Sequence, residues 1–115
     1  MNRLKFIGLV LCIAAYGCSG PSPDEQKIPT TPSYEVYTVE IKDMKFVPGE
    51  IRVKKGDRVV FVNRDLVAHC VTEEKSKAWK SPVLPSGEAY LLVAQESSNY
   101  YCAIHLVMKG KIIVK

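Results

Sequence analysis

Hydrophobic positions fall into three regimes along this chain. An unbroken apolar run occupies residues 6–16, a polar, proline-rich stretch follows to residue 33, and short apolar runs then recur between turn residues. In the last regime Val, Ile, Tyr and Phe concentrate at residues 34–41, 50–53, 58–63, 69–72, 90–94, 99–102 and 111–114. Residues 50–53 alternate polar and apolar, the pattern of a half-buried strand, and Lys55-Gly56-Asp57 turns that strand into the next. Val59-Val60-Phe61-Val62 is apolar on both faces, which predicts a central strand between two layers. No segment sustains a helical period, although residues 73–80 leave room for one short turn of helix. Short strands separated by turn signals predict an all-β Greek-key sandwich of about seven to eight strands.

The first regime has the form of an export signal. Arg3 and Lys5 precede an apolar run of eleven residues, well short of the about 20 needed to span a bilayer. The run ends in Ala15-Tyr16-Gly17-Cys18, which resembles a bacterial lipoprotein box with Cys18 as the lipidated residue. An ordinary cleavage at the same bond, without lipid, is the alternative. Either way residues 1–17 are a signal peptide, 18–33 a linker and 34–115 the folded domain. The linker, SGPSPDEQKIPTTPS after Cys18, holds four of the seven prolines and cannot bury a core. As an extended spacer it would reach about 45 Å, enough to let an anchored domain swing toward a partner. The expected location is periplasmic or extracellular, with a lipid attachment to a bacterial membrane. Losing Arg3 and Lys5 lowers the net charge from +4 to +2, too little to argue for nucleic acid.

Four cysteines are present, of which Cys12 leaves with the signal and Cys18 is terminal. Cys70 and Cys102 remain, and an exported chain with two cysteines ordinarily forms one disulfide. A metal competes with that default. Cys102, His105 and Met108 stand at i, i+3 and i+6, a spacing that chance at this composition gives about once in 2,000. The only other histidine, His69, leaves the loop after the most apolar strand. A thiolate, two imidazoles and a long axial thioether are the donor set of a mononuclear blue copper site. Buried Cys and Met at the base of a strand, with a surface His between them, is the structural alternative. Trp79 among Lys75, Lys77 and Lys80 reads either as a basic docking surface or as a solvated loop, and Met44 reads as core, with a rival axial ligand as the alternative.

These residues carry a resemblance. Met44-Lys45-Phe46-Val47-Pro48-Gly49-Glu50-Ile51-Arg52-Val53, then Gly56-Asp57-Arg58-Val59-Val60-Phe61-Val62-Asn63, are similar to the first half of the cupredoxins. Asn63-x-Asp65 leading to His69 resembles the segment that carries their first ligand, and the two-residue gaps around His105 are most similar to the amicyanins. The resemblance implies one type 1 copper held by His69, Cys102, His105 and Met108. The binuclear copper centre of oxidase subunits is excluded, because Ser98 stands where its second Cys would be. Two positions depart from the family. The residue after the first His is commonly an Asn whose side chain ties the ligand loops, and here it is Cys70, so that side-chain tie is expected to be lost while its backbone N–H stays available to the Cys102 sulfur. Leu106 stands where the amicyanins place Pro.

Nothing in the chain points to an enzyme: four protein ligands leave no open position for substrate. The resemblance implies a monomeric single-electron carrier whose His105 edge reaches the surface beside Leu106 and Val107. Redox proteins such as a c-type cytochrome or a copper oxidoreductase would dock there transiently. A membrane-anchored copper chaperone or buffer is the competing class, and a disulfide-closed binding module is a third.

Overall fold

The computed structural model describes Gly17 and residues 33–115. Apart from Gly17 and Ser33, the expected signal peptide, lipidated Cys18 and linker lie outside the described residues. Eight strands follow: β1 (Val36–Lys42), β2 (Lys45–Val47), β3 (Glu50–Val53), β4 (Arg58–Asn63), β5 (Thr72–Glu73), β6 (Ala89–Val93), β7 (Ser98–Tyr101) and β8 (Lys109–Val114). They form two four-stranded sheets, β2-β1-β4-β6 and β3-β8-β7-β5. Only the β1–β2 and β7–β8 connections stay within a sheet; every other connection crosses between them, as expected of a sandwich built from crossovers. β1 pairs with β4, and β3 with β8, in parallel.

β4 is central in its sheet, as its apolar run requires. Val59, Phe61 and Asn63 face the core, while Arg58, Val60 and Val62 are half-buried. Phe61 packs edge-on against Tyr100 at 5.1 Å between ring centroids, and Phe46 meets Tyr100 at 4.8 Å, so the two sheets interlock through aromatic rings. Trp79 joins this cluster, 6.3 Å from Phe61, and is therefore packing rather than a docking surface. Met44, expected in the core, is exposed instead.

It is exposed because β1 and β2 form a hairpin that the residue pattern concealed. Lys42 pairs with Lys45, leaving Asp43 and Met44 as a two-residue turn with φ of 52° and 60°. Both central residues of that turn type need positive φ, which ordinarily selects Asn-Gly or Asp-Gly. Here the Asp65 carboxylate accepts both turn N–H groups, at 2.8 and 3.0 Å, and stabilises a turn the sequence alone disfavours.

Residues 73–80 contain no helical turn. Glu73 organises them: its carboxylate accepts the N–H groups of Ser76 (2.7 Å), Lys75 (3.0 Å) and Ala78 (3.3 Å) and the Ser76 hydroxyl (3.0 Å). The Ser76 N–H is the main cause that lowers the Glu73 carboxyl from an ordinary 4.5 to about 2, against the opposing effect of burial. A carboxyl more acidic in the folded state stabilises it above pH 4.5 and ceases to do so as the pH falls through about 2. Glu73→Gln is therefore expected to lower stability at neutral pH. Denaturant titrations should show the gap to the parent closing between pH 4.5 and 2; a constant gap would refute this account.

Candidate metal centre

Two loops at the ends of β4 and β7 deliver the candidate donors. Asn63, the buried last residue of β4, shapes the first. Its amide donates to the Val67 and Leu84 carbonyls, both at 2.8 Å, and its oxygen accepts the Asp65 N–H at 2.9 Å. His69 then pairs with Leu84 through two backbone hydrogen bonds, of 3.1 and 2.7 Å. The strand expected at 69–72 is accordingly reduced to isolated bridges and the two residues of β5, because Leu84 and Ser81 take the backbone partners along this stretch. The second loop closes on itself: the Met108 N–H donates to the His105 carbonyl (2.9 Å) and the Cys102 N–H to the Met108 carbonyl (3.1 Å).

His69, Cys102 and His105 converge, with one donor atom from each lying within 4.8 Å of the others. Cys102 Sγ is 3.9 Å from His69 Nδ1 and 3.8 Å from His105 Nδ1. Bonds of about 2.0–2.3 Å to one ion place trigonal donors about 3.7 Å apart, so the spacing fits a single metal. His69 and Cys102 are wholly buried, Met108 is buried with them, and His105 is half-buried. Soft sulfur with imidazole nitrogen fits copper better than the hard cations.

Around the donors stand two supporting residues. Asp65 Oδ2 lies 2.8 Å from His69 Nε2, which fixes the ring with Nδ1 toward Cys102. A carboxylate behind a ligand histidine sets its tautomer and orientation. Burial opposes ionisation of Asp65, but the Met44 N–H, His69 and the Asp43 N–H outweigh it and hold the carboxyl below its ordinary range. The signal was present as an acidic residue four positions before the only histidine outside the loop. Cys70 is the other. Its N–H donates to Cys102 Sγ at 3.4 Å, and its own Sγ accepts the Ala103 N–H at 3.2 Å. The side-chain tie between the ligand loops, expected to be lost without Asn, is made by sulfur instead.

Cys70 and Cys102 are free thiols with their sulfurs 3.9 Å apart, so the disulfide alternative does not hold in this structure. Burial opposes ionisation of Cys102, yet the Cys70 N–H, the two imidazoles and the His105 N–H bring it down to about 6. Burial, aided by the neighbouring Cys102, pushes the Cys70 thiol up.

A family model of the cupredoxin-like domain matches residues 8–114. Amicyanin of Paracoccus denitrificans is 31% identical over 93% of this chain and 92% of its own length. The chain belongs to the cupredoxin-like family. Amicyanin-alpha of Methylorubrum extorquens is 32% identical over 67% of this cupredoxin and 70% of its own length. Among solved structures, an amicyanin variant in its Cu(I) form superposes with a TM-score of 0.66 at 31% identity, covering 72% of this chain and 85% of that one. A copper-containing nitrite reductase from Thermus scotoductus gives 0.64 at 27% identity, over 69% of this cupredoxin but only 22% of the larger protein.

Proposed function

We propose that this cupredoxin is an exported single-electron carrier that works through one type 1 copper ion held by His69, Cys102, His105 and Met108. The convergence of one sulfur and two imidazole nitrogens in a buried pocket carries this reading. Copper, when bound, supplies a one-electron couple between Cu(II) and Cu(I). The chain's own residues hold the donors in place: Asp65 orients His69, the Cys70 N–H supports the Cys102 sulfur, and the Met108–His105 turn fixes the second loop. Donors that need not rearrange between oxidation states keep the barrier to transfer small. The same preorganisation argues against a chaperone, whose cargo must leave easily from exposed ligands. The test is a visible and electron paramagnetic resonance spectrum of the copper-loaded domain. An intense sulfur-to-copper charge-transfer band with narrow hyperfine splitting supports the carrier; a colourless oxidised protein overturns it.

The electron's exit is the half-buried His105. Apolar side chains crowd the ligand loops, with Leu66 95%, Leu106 66% and Val107 89% exposed. A patch of this kind on a small domain serves a protein interface, here a brief contact of less than about 1,200 Å² with a redox protein. Leu106→Asp is expected to slow electron transfer to a c-type cytochrome by tenfold or more, about 1.4 kcal/mol, with an unchanged spectrum. Stopped-flow rates that match the parent would move the docking site elsewhere. Cleavage before Cys18, lipidation of that residue and a tether to residue 33 complete the reading, and place the domain on the outer side of a bacterial membrane.

A further inference from the structure

The Cys70 sulfur sits beside the metal pocket without belonging to its donor triangle. It lies 3.9 Å from Cys102 Sγ but outside the His69, Cys102 and His105 cluster. Its surroundings account for each of its polar functions but one. The Ala103 N–H donates to the sulfur at 3.2 Å, with the Ile104 N–H also directed at it, so its lone pairs are served. Its backbone N–H donates to Cys102 Sγ. The thiol proton remains, and the Cys102 sulfur is within reach of it. Of the two sulfurs, Cys102 is the one that faces both imidazoles, at 3.9 and 3.8 Å, so it is the acceptor left for that proton.

We propose that the Cys70 thiol is a second hydrogen-bond donor to the Cys102 sulfur, and that it raises the reduction potential of the site. The proposal rests on the copper reading above. A thiolate that donates fully to the metal favours Cu(II), and hydrogen bonds to that sulfur draw density away and shift the balance toward Cu(I). One residue thereby serves the ligand sulfur twice, through its backbone and through its side chain. Cys70 is a positioning and tuning residue, and it never touches the metal.

The experiment compares redox titrations of the copper-loaded mature protein with its Cys70→Ala and Cys70→Asn variants. Alanine removes both the donor and the acceptor for Ala103; asparagine restores an acceptor and so keeps the loops tied. Both variants are expected to stay blue, with the Cu(II) to Cu(I) ratio at fixed poise raised threefold or more. That is about 28 mV downward at 59 mV per tenfold for one electron. The copper–sulfur stretching frequency should also shift less on transfer to deuterated water than in the parent. An unmoved potential in both variants overturns the proposal. A fall in Cys70→Ala that Cys70→Asn restores without restoring the deuterium-sensitive shift also overturns it, by assigning the effect to the loop tie. If the alanine variant fails to fold, the asparagine variant decides alone through the same two measurements. A parent protein that stays colourless with copper sinks the functional reading itself, whereas a blue protein with an unmoved potential sinks only the role of Cys70.

Discussion

Cys102→Ser is expected to abolish the visible charge-transfer band of the copper-loaded protein and, with it, electron transfer. The band needs a polarizable thiolate bonded to the metal, and an alkoxide is not available at neutral pH. Against the effect of burial, the Cys70 N–H and the two imidazoles lower the Cys102 thiol and favour an ionised sulfur, whereas serine presents a neutral hydroxyl. The loss of copper affinity should exceed the roughly 10–100-fold typical of residues that only support a ligand. Absorption and competition titration against a chelator measure the two effects separately. A blue colour retained in the serine variant would exclude Cys102 as the ligand, and with it the proposed site.

Gly110→Ala is expected to cause the largest loss of stability, although it adds one methyl group. Gly110 pairs with Tyr100 across β7 and β8. A Cβ there would stand 2.3 Å from both Cζ and the hydroxyl oxygen of Tyr100. The ring cannot retreat, because it is wholly buried with Phe46 at 4.8 Å and Phe61 at 5.1 Å between centroids. Overpacking of a tight core costs about 1–3 kcal/mol, and this site belongs at the upper end. For a domain of this size the melting temperature should fall by roughly 10–20 °C. Gly110 lies two residues beyond Met108, so a displaced β8 should also broaden the copper spectrum. A melting temperature within two or three degrees of the parent would mean that β8 shifts freely.

The candidate donor set was legible because its chemistry is scarce: two histidines in the chain, and one loop holding Cys, His and Met at equal spacing. Central strand β4 was legible for a different reason, since a run of four apolar residues between turn signals has few other uses. What stayed hidden depends on contacts between segments distant in sequence. β2 is concealed because Asp43-Met44 is a poor turn until Asp65, more than twenty residues away, accepts both of its N–H groups. The clasp made by Cys70 is concealed because sulfur is seldom the acceptor expected in place of an amide. The break-up of the strand at 69–72 follows from Leu84, whose pairing with His69 no local pattern announces.

Asp65 has an electrostatic consequence for the pocket it borders. Its carboxylate and the Cys102 thiolate place two negative charges around His69, in surroundings where His69 and Cys102 have no solvent exposure. A divalent ion there meets electroneutrality, while a monovalent ion leaves one anionic charge uncompensated. The scaffold thus biases the couple toward its oxidised form, and any proton held against the ligand sulfur works in the opposite sense. In the proposed copper site that carboxylate and the Cys70 thiol would pull the potential in opposite senses, although neither is among the candidate donors.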